Sequence, residues 1–362
     1  MQSLVALLSL VSLAALANAQ ATCNVTTKCP DFAPCCSEFG FCGSTEAFCL
    51  GGCNPLDSTS LDSCKPNPDP QHTFVDNSRV LSNSTFYDGN ASSYDWVVES
   101  GNIMNTNTSG GELVLILTET NGGTRISSTR YFHYGQVSAR LKTGRWGGTV
   151  TAFITMSDVK DEIDWEFPGN ATTAAQSNYF WQGLVTNPNH GNISNGLSDT
   201  FSNYHDYSIN WQPDTLTWSI DGKVVRTLNK ADTLVNGVYQ YPTTPARVQL
   251  SLWPAGTSTT SAGTVEWSGG LINWNDPDYV AAGHFYALVS SVNITCNDPT
   301  PPAAGVTGYT YAVNSSTNTP GVLFTNTSTN INTAPRLRDM AATGLRSVLG
   351  GAVLVGALSL LV

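Results

Sequence analysis

Between residues 113 and 294 apolar and polar side chains tend to alternate, and no stretch there sustains a long apolar period near 3.6 residues. Such alternation marks strands with two unlike faces. It is sharpest at Asp161-Glu162-Ile163-Asp164-Trp165-Glu166-Phe167. There Glu162, Asp164 and Glu166 share one face, while Ile163, Trp165 and Phe167 share the other and point to a core. Further β-rich stretches run over 113–118, 134–141, 149–156, 205–211, 215–220, 223–227, 247–253 and 285–294. Asp221-Gly222 separates two of them by the two residues of a primed hairpin turn. The fold class expected is all-β: a β-sandwich of the jelly-roll kind with a concave substrate cleft.

Outside that region the pattern changes. Leu4 to Leu16 is an apolar run followed by Ala17-Asn18-Ala19, which reads as a signal peptide over 1–19 cut near Gln20. Cys23, Cys29, Cys35, Cys36, Cys42, Cys49, Cys53 and Cys64 then crowd a small module over 20–64. A core so small needs staples. The adjacent Cys35-Cys36 and a secreted setting favour disulfides over a zinc site, and spacing alone does not choose the pairing. Lys65 to Pro70 alternates prolines as a stiff linker, and the larger domain is placed at 71–300. Cys296 is a ninth cysteine, either buried and free or bonded to a partner such as Cys64. From 301 to 332 Pro, Asn, Ser and Thr dominate, the composition of a disordered, glycosylated stalk. Residues 333–362 resemble a GPI-attachment propeptide: a spacer with Arg336, Arg338 and Arg346, then the apolar run Val348 to Val362, with Asn332 as the expected attachment residue. That run is too short to span a bilayer comfortably.

Composition narrows the function. Charged residues make up 12% of the chain and the formal charge is −11. An acidic surface disfavours nucleic acid and anionic membranes as partners, and does not oppose a neutral polysaccharide. Asn-x-Ser/Thr sequons at Asn24, Asn83, Asn90, Asn107, Asn170, Asn192, Asn293, Asn314 and Asn326 fit passage through a secretory pathway to the cell surface.

The row of acids is the candidate chemistry. Four residues along a strand span about 13 Å, and two leaning Glu side chains on a concave sheet can bring their carboxyls to about 5–6 Å, near the spacing of a retaining glycosidase. A solvated edge strand or an oxygen-rich calcium site are the plainer readings; Trp165 and Phe167 argue against the edge.

Glu162-Ile163-Asp164-Trp165-Glu166 resembles the active-site strand of glycoside hydrolase family 16, and the Asp-Glu-Ile-Asp opening resembles its fungal Crh chitin–glucan transglycosylase branch. Tyr134 to Arg140, Gln176-Ser177-Asn178-Tyr179-Phe180-Trp181, His205-x-Tyr207, Trp211 to Asp214 and Leu252-Trp253-Pro254-Ala255-Gly256 extend the likeness over most of 71–300. The resemblance implies Glu162 as nucleophile, Glu166 as general acid/base and Asp164 as the orienting carboxyl between them. It implies a chitin donor and a β-1,3- or β-1,6-glucan acceptor, with hydrolysis on the same fold as the alternative and a wall lectin as the non-enzymatic one. Three carboxyls at such range cannot all ionise, so the set is expected to hold a proton at neutral pH. Tyr179, Trp181, Trp253, Trp146 and His205 are the candidate sugar-binding residues. No metal or organic cofactor is implied, and a monomer is expected.

The cysteine module resembles a hevein-type, family 18 chitin-binding module through Cys35-Cys36-Ser37-Glu38-Phe39-Gly40-Phe41-Cys42 and on to Cys49. The likeness implies pairs Cys23–Cys36, Cys29–Cys42, Cys35–Cys49 and Cys53–Cys64, and a sugar platform on Ser37, Phe39, Phe41 and Phe48. Phe at these places keeps a stacking face without a hydroxyl or indole donor.

Overall fold

The computed structural model describes residues 21–325, apart from 25, 38–39, 45, 50–52, 55–56, 61–62, 64–71, 75, 88–92, 108–109, 298–307 and 315–318. The signal peptide, the linker, Phe39, Cys64 and Asn332 therefore lie outside the described residues.

Two large, mainly antiparallel sheets face each other across one core. The front sheet runs, edge to edge, through Asn192–Asn195, Ala174–Phe180, Glu162–Pro168, Thr149–Ser157, Ala246–Pro254, Thr124–Ser128, Trp96–Ser100 and Val80–Leu81. The back sheet runs through Lys223–Asn229, Thr215–Ile220, His205–Trp211, Gly135–Lys142, Phe285–Cys296, Leu113–Leu117 and Asn102–Asn105. The acid strand, Glu162–Pro168, thus sits inside the front sheet, paired on both sides. It is not an edge.

The back sheet explains why alternation was easy to read. Along His205–Trp211 and Thr215–Ile220 every second residue is buried, as expected where one face meets the core and the other meets water. The Asp221-Gly222 turn joins two of these strands with Ile220 opposite Lys223, and both turn residues have positive φ, 50° and 79°. A primed turn requires that backbone. Trp96, Phe153, Trp165, Phe167, Tyr207, Trp211 and Trp218 fill the space between the sheets. Each such aromatic removes a large apolar surface from water and stabilises the sandwich by roughly 2–3 kcal/mol.

The amino-terminal module is a three-stranded sheet of Cys35–Ser37, Cys42–Gly43 and Cys53–Asn54. Disulfides join Cys23 to Cys36, Cys29 to Cys42 and Cys35 to Cys49. Cys296 is exposed at the end of a back-sheet strand, which removes the buried alternative.

The expected disordered stalk is partly folded. Gly308–Asn314 and Thr319–Thr325 form an antiparallel hairpin, with Tyr309 and Tyr311 buried. Tyr309 packs edge-on to His133 of the large domain at 5.7 Å between ring centroids. Tyr311 belongs to a cluster with Cys35 of the module and Val159 of the turn before the acid strand, and Phe48 and Cys49 pack against that cluster. Module, hairpin and the two-sheet domain therefore meet around Val159. Aromatic burial there outweighs the polar composition of the surrounding segment.

Candidate active site

The turn ahead of the acid strand is held by buried polar contacts. Asp161 accepts hydrogen bonds from the Gln182 amide (3.0 Å), the Thr243 amide (2.9 Å), the Thr244 amide (3.2 Å) and the Thr244 hydroxyl (2.7 Å). Asp158 is buried between the phenols of Tyr131 (2.7 Å) and Tyr311 (3.4 Å). Burial pushes the Asp158 carboxyl up to about 7.

Beyond the turn, two indoles stitch the acid strand to the back sheet. Trp165 Nε1 donates to Ser208 O at 3.2 Å, and Trp218 Nε1 donates to Asp164 O at 3.0 Å. With Trp165 and Phe167 fixed in the core, the period of two turns the carboxyls outward. Glu162 and Glu166 line the same groove on the front sheet.

Strand register gives that groove its floor. Glu166 lies opposite Ala152 and Gln176, Asp164 opposite Ile154 and Asn178, and Glu162 opposite Met156 and Phe180. On one flank a space of about 380 Å³ touches both Glu162 and Glu166 and is walled by Arg125, Gln249, Ser251 and Trp253. On the other flank a space of about 570 Å³ touches Glu166 alone of the acids and is walled by Gln176, Asn178, Phe180, Trp253 and Trp267. Trp253 belongs to both.

The walls are themselves braced. Arg125 Nε lies 2.5 Å from Glu99 Oε2, and Arg247 Nη1 lies 3.2 Å from Glu99 Oε1. Trp267 lies tilted against Trp253 with 6.1 Å between ring centroids and donates from Nε1 to Gln176 Oε1 at 2.9 Å. The Leu252-Trp253-Pro254-Ala255-Gly256 run ends on glycine for a steric reason: a Cβ on Gly256 would stand 2.1 Å from Gly270 O.

The carboxyl row resists ionisation. Burial, then the charges of Glu162 and Glu166, hold Asp164 well above the usual carboxylate range. Burial and then the Glu162 charge push Glu166 up to about 7. Burial raises Glu162 as well, opposed by a hydrogen bond with Asp164 and by the nearby Lys160 charge. Asp164 Oδ1 is buried without a hydrogen-bond partner. One carboxyl poised to give up a proton near neutrality and a second beside it able to carry charge is the division of labour that acid-assisted displacement requires.

Several expected sugar contacts lie elsewhere. Tyr179 is buried on the core side of its strand, stacked on His190 at 4.4 Å; its neighbours Asn178 and Phe180 take the groove side, because pairing with the acid strand fixes the phase of alternation. Trp146 packs against Phe201, Phe285 and Tyr286 and donates from Nε1 to Asp278 at 2.9 Å. His205 is buried in the back sheet, with Nδ1 2.7 Å from Asp221 and Nε2 2.8 Å from Ser198 Oγ. Trp181 follows the end of its strand and lines neither flank. Of the five, only Trp253 is a wall residue. Gln176 and Asn178 lie in the run Gln176 to Trp181 that carries the family likeness but were not among the expected contacts, and Trp267, Arg125 and Gln249 carry no signal of their own.

In the cysteine module the platform is likewise reduced. Ser37 is buried, its hydroxyl accepting from the Phe41 amide at 3.3 Å. The Phe48 ring covers Gly43, where an added Cβ would come within 2.2 Å of it, and packs toward Val159 and Tyr311. Among the described residues Phe41 is the platform ring that remains exposed.

Comparison with known proteins follows the same lines. The sequence profile of glycosyl hydrolases family 16 matches residues 90–269. Crh-like protein 3 of Botryotinia fuckeliana is 42% identical over 93% of this chain and 74% of its own length. Congo red hypersensitive protein 2 of Saccharomyces cerevisiae is 42% identical over 86% of this chain and 67% of its own. Among solved structures, a Crh5 transglycosylase in complex with NAG superposes with a TM-score of 0.56 at 28% identity, over 75% of this chain and 100% of that one.

Proposed function

Because the chain belongs to glycosyl hydrolases family 16, among its fungal Crh-like members, we propose that it is a retaining transglycosylase that cuts chitin and joins the new reducing end to β-glucan in the cell wall. The observation that carries this reading is the shared groove of Glu162 and Glu166, one of whose flanks both acids reach and the other Glu166 alone.

That asymmetry supports different roles for the two flanks. The sugar under attack must be reached by nucleophile and acid together, which favours the flank of Arg125, Gln249 and Ser251 for the chitin donor. The departing sugar needs only the proton of Glu166, which favours the flank of Gln176, Asn178, Phe180 and Trp267. In the first step a Glu162 oxygen bonds to the anomeric carbon as Glu166 protonates the leaving oxygen. The departed chain is then replaced by a glucan. Glu166, now ionised, takes the acceptor hydroxyl proton while that oxygen displaces Glu162 with net retention. Asp164, protonated between them, donates a hydrogen bond to Glu162 and steadies it.

Water is the competing acceptor. At about 55 M it loses only to a sugar whose placement is worth several kcal/mol, and the paired Trp253 and Trp267 faces on the Glu166 flank are suited to supply that. The wider setting belongs to the same proposal: a signal peptide over 1–19, the module at 20–64, attachment to GPI at Asn332, and residence at the plasma membrane or wall. The folded part extends through the hairpin to Thr325, past the boundary at 300 that composition suggested.

The test is a transfer assay with the purified protein, chitin oligomers and a fluorescent laminarin oligomer. Joined fluorescent product is the expected result. Shortened chitin oligomers alone would make the protein a hydrolase, and retention on chitin without any chemistry would make it a lectin.

A further inference from the structure

The three carboxyls of the groove have no arginine or lysine hydrogen-bonded to them among the described residues, yet one guanidinium stands behind their sheet. Arg226 lies on the back-sheet edge strand Lys223–Asn229, opposite Trp218 in the neighbouring strand. Its side chain crosses to the front sheet. Nη1 donates to Ser177 O at 2.8 Å and to Ser177 Oγ at 3.1 Å, and Nη2 donates to His190 O at 2.6 Å. Its guanidinium carbon rests 4.4 Å from the Trp218 ring centre, and Trp218 is the indole that bonds Asp164 O.

Every hydrogen bond of Arg226 goes to a neutral oxygen, and none of the described ion pairs includes it. An arginine turned inward without a carboxylate is costly unless its charge is used. The acid that feels it is Asp164: burial, then the charges of Glu162 and Glu166, hold that carboxyl well above its usual range, and the Arg226 charge opposes them. The other titratable groups around it are Tyr179 and His190, and on the groove side Lys160 acts on Glu162.

We propose that Arg226 is a positioning residue for the reaction: from behind the sheet it sets a positive charge near Asp164, at the centre of the carboxyl row, and it clamps the wall of the leaving-group flank. The clamp follows from its partners. Ser177 lies between Gln176 and Asn178, and His190 lies between Asn189 and Gly191; all four of those neighbours line that flank. One fork therefore ties the strand beside the acids to the loop opposite, and its charge keeps the row able to ionise once at working pH. This inference rests on the transglycosylase reading.

The test compares the pH dependence of transfer and the acceptor KM in the full protein carrying Arg226→Gln or Arg226→Lys. Arg226→Gln removes the charge, so the acidic limb of the profile is expected to move to higher pH by about half a unit or more. Arg226→Lys keeps the charge and loses the fork, so the limb is expected to stay in place while acceptor KM rises several-fold. Should the glutamine variant not fold, the lysine variant still decides: a displaced limb, or an unchanged acceptor KM, overturns the proposal. Carboxyl 13C titration of Asp- and Glu-labelled protein gives a readout independent of turnover. If the wild-type protein makes no product the function is wrong, while an Arg226-dependent displacement of the Asp164 titration would still stand. Identical titrations in wild type and Arg226→Gln would overturn the inference by itself.

Discussion

Asp161 and Asp164 are three residues apart, both buried to within 2% of full burial, and they live in opposite surroundings. Asp161 closes the turn before the acid strand and meets three amides and a hydroxyl. Asp164 lies in the groove row with one oxygen unpartnered and two glutamates for neighbours. Burial of an acid is therefore not the signal of chemistry in this molecule. What separates structure from function is whether the protein supplies donors: the turn does, and the row leaves its acids to share protons with one another.

The sharpest way to break this contrast is Glu162→Gln. Transfer is expected to fall about a thousandfold or more, with thermal unfolding nearly unchanged; a comparable loss of folding would assign Glu162 to the architecture instead. Next in size is Asp161→Asn, which turns an amide donor toward groups that are all donors. It is expected to cost about 2–4 kcal/mol of stability by denaturant unfolding, with activity per folded molecule preserved. The same substitution at Asp164 should do the reverse. An asparagine imitates a protonated aspartate, so stability holds while transfer at neutral pH drops by about tenfold. If Asp164→Asn were fully inactive, Asp164 would have to act as an anion.

A smaller effect lies in pH. Glu166 and Asp158 both bind protons more tightly in the folded chain, up to about 7, than unfolded carboxyls at 4.5 and 3.8. Their contribution to stability is thus full below those unfolded values and is lost as pH rises toward about 7. Melting temperature is expected to decline over that window, and Glu166→Gln should flatten part of the decline. In activity, the same proton on Glu166 gives a basic limb near neutrality. The mildest contrast is between neighbours: Phe180→Ala should raise substrate KM, while Tyr179→Phe should leave it alone.

Much of this was legible in the residues. The acids were found because Ile163, Trp165 and Phe167 fix their phase, and the Asp221-Gly222 turn because its backbone admits few residues. Partners distant in sequence were not. Trp146 gives its indole proton to Asp278, 132 residues away, and His205 is engaged by Ser198 and Asp221; nothing local tells a structural aromatic from a sugar platform. Tyr179 was placed on the wrong face because a strand's phase is set by its neighbour. The hairpin at 308–325 did carry a cue, since Tyr309 and Tyr311 alternate with smaller residues, but the polar stretches around it masked the pattern.

The meeting of module, hairpin and turn has a practical consequence for any shortened version of this protein. A chain cut at residue 300 would lack Tyr311, baring Val159 and leaving Asp158 with one phenol in place of two. Water would then reach a carboxyl that burial now holds up, one turn upstream of Glu162, while the lost Tyr311 hydrogen bond would act in the other direction. Trimmed catalytic fragments would be measured with a loosened turn at the root of the acid strand, and their stability would describe the trimming as much as the native protein.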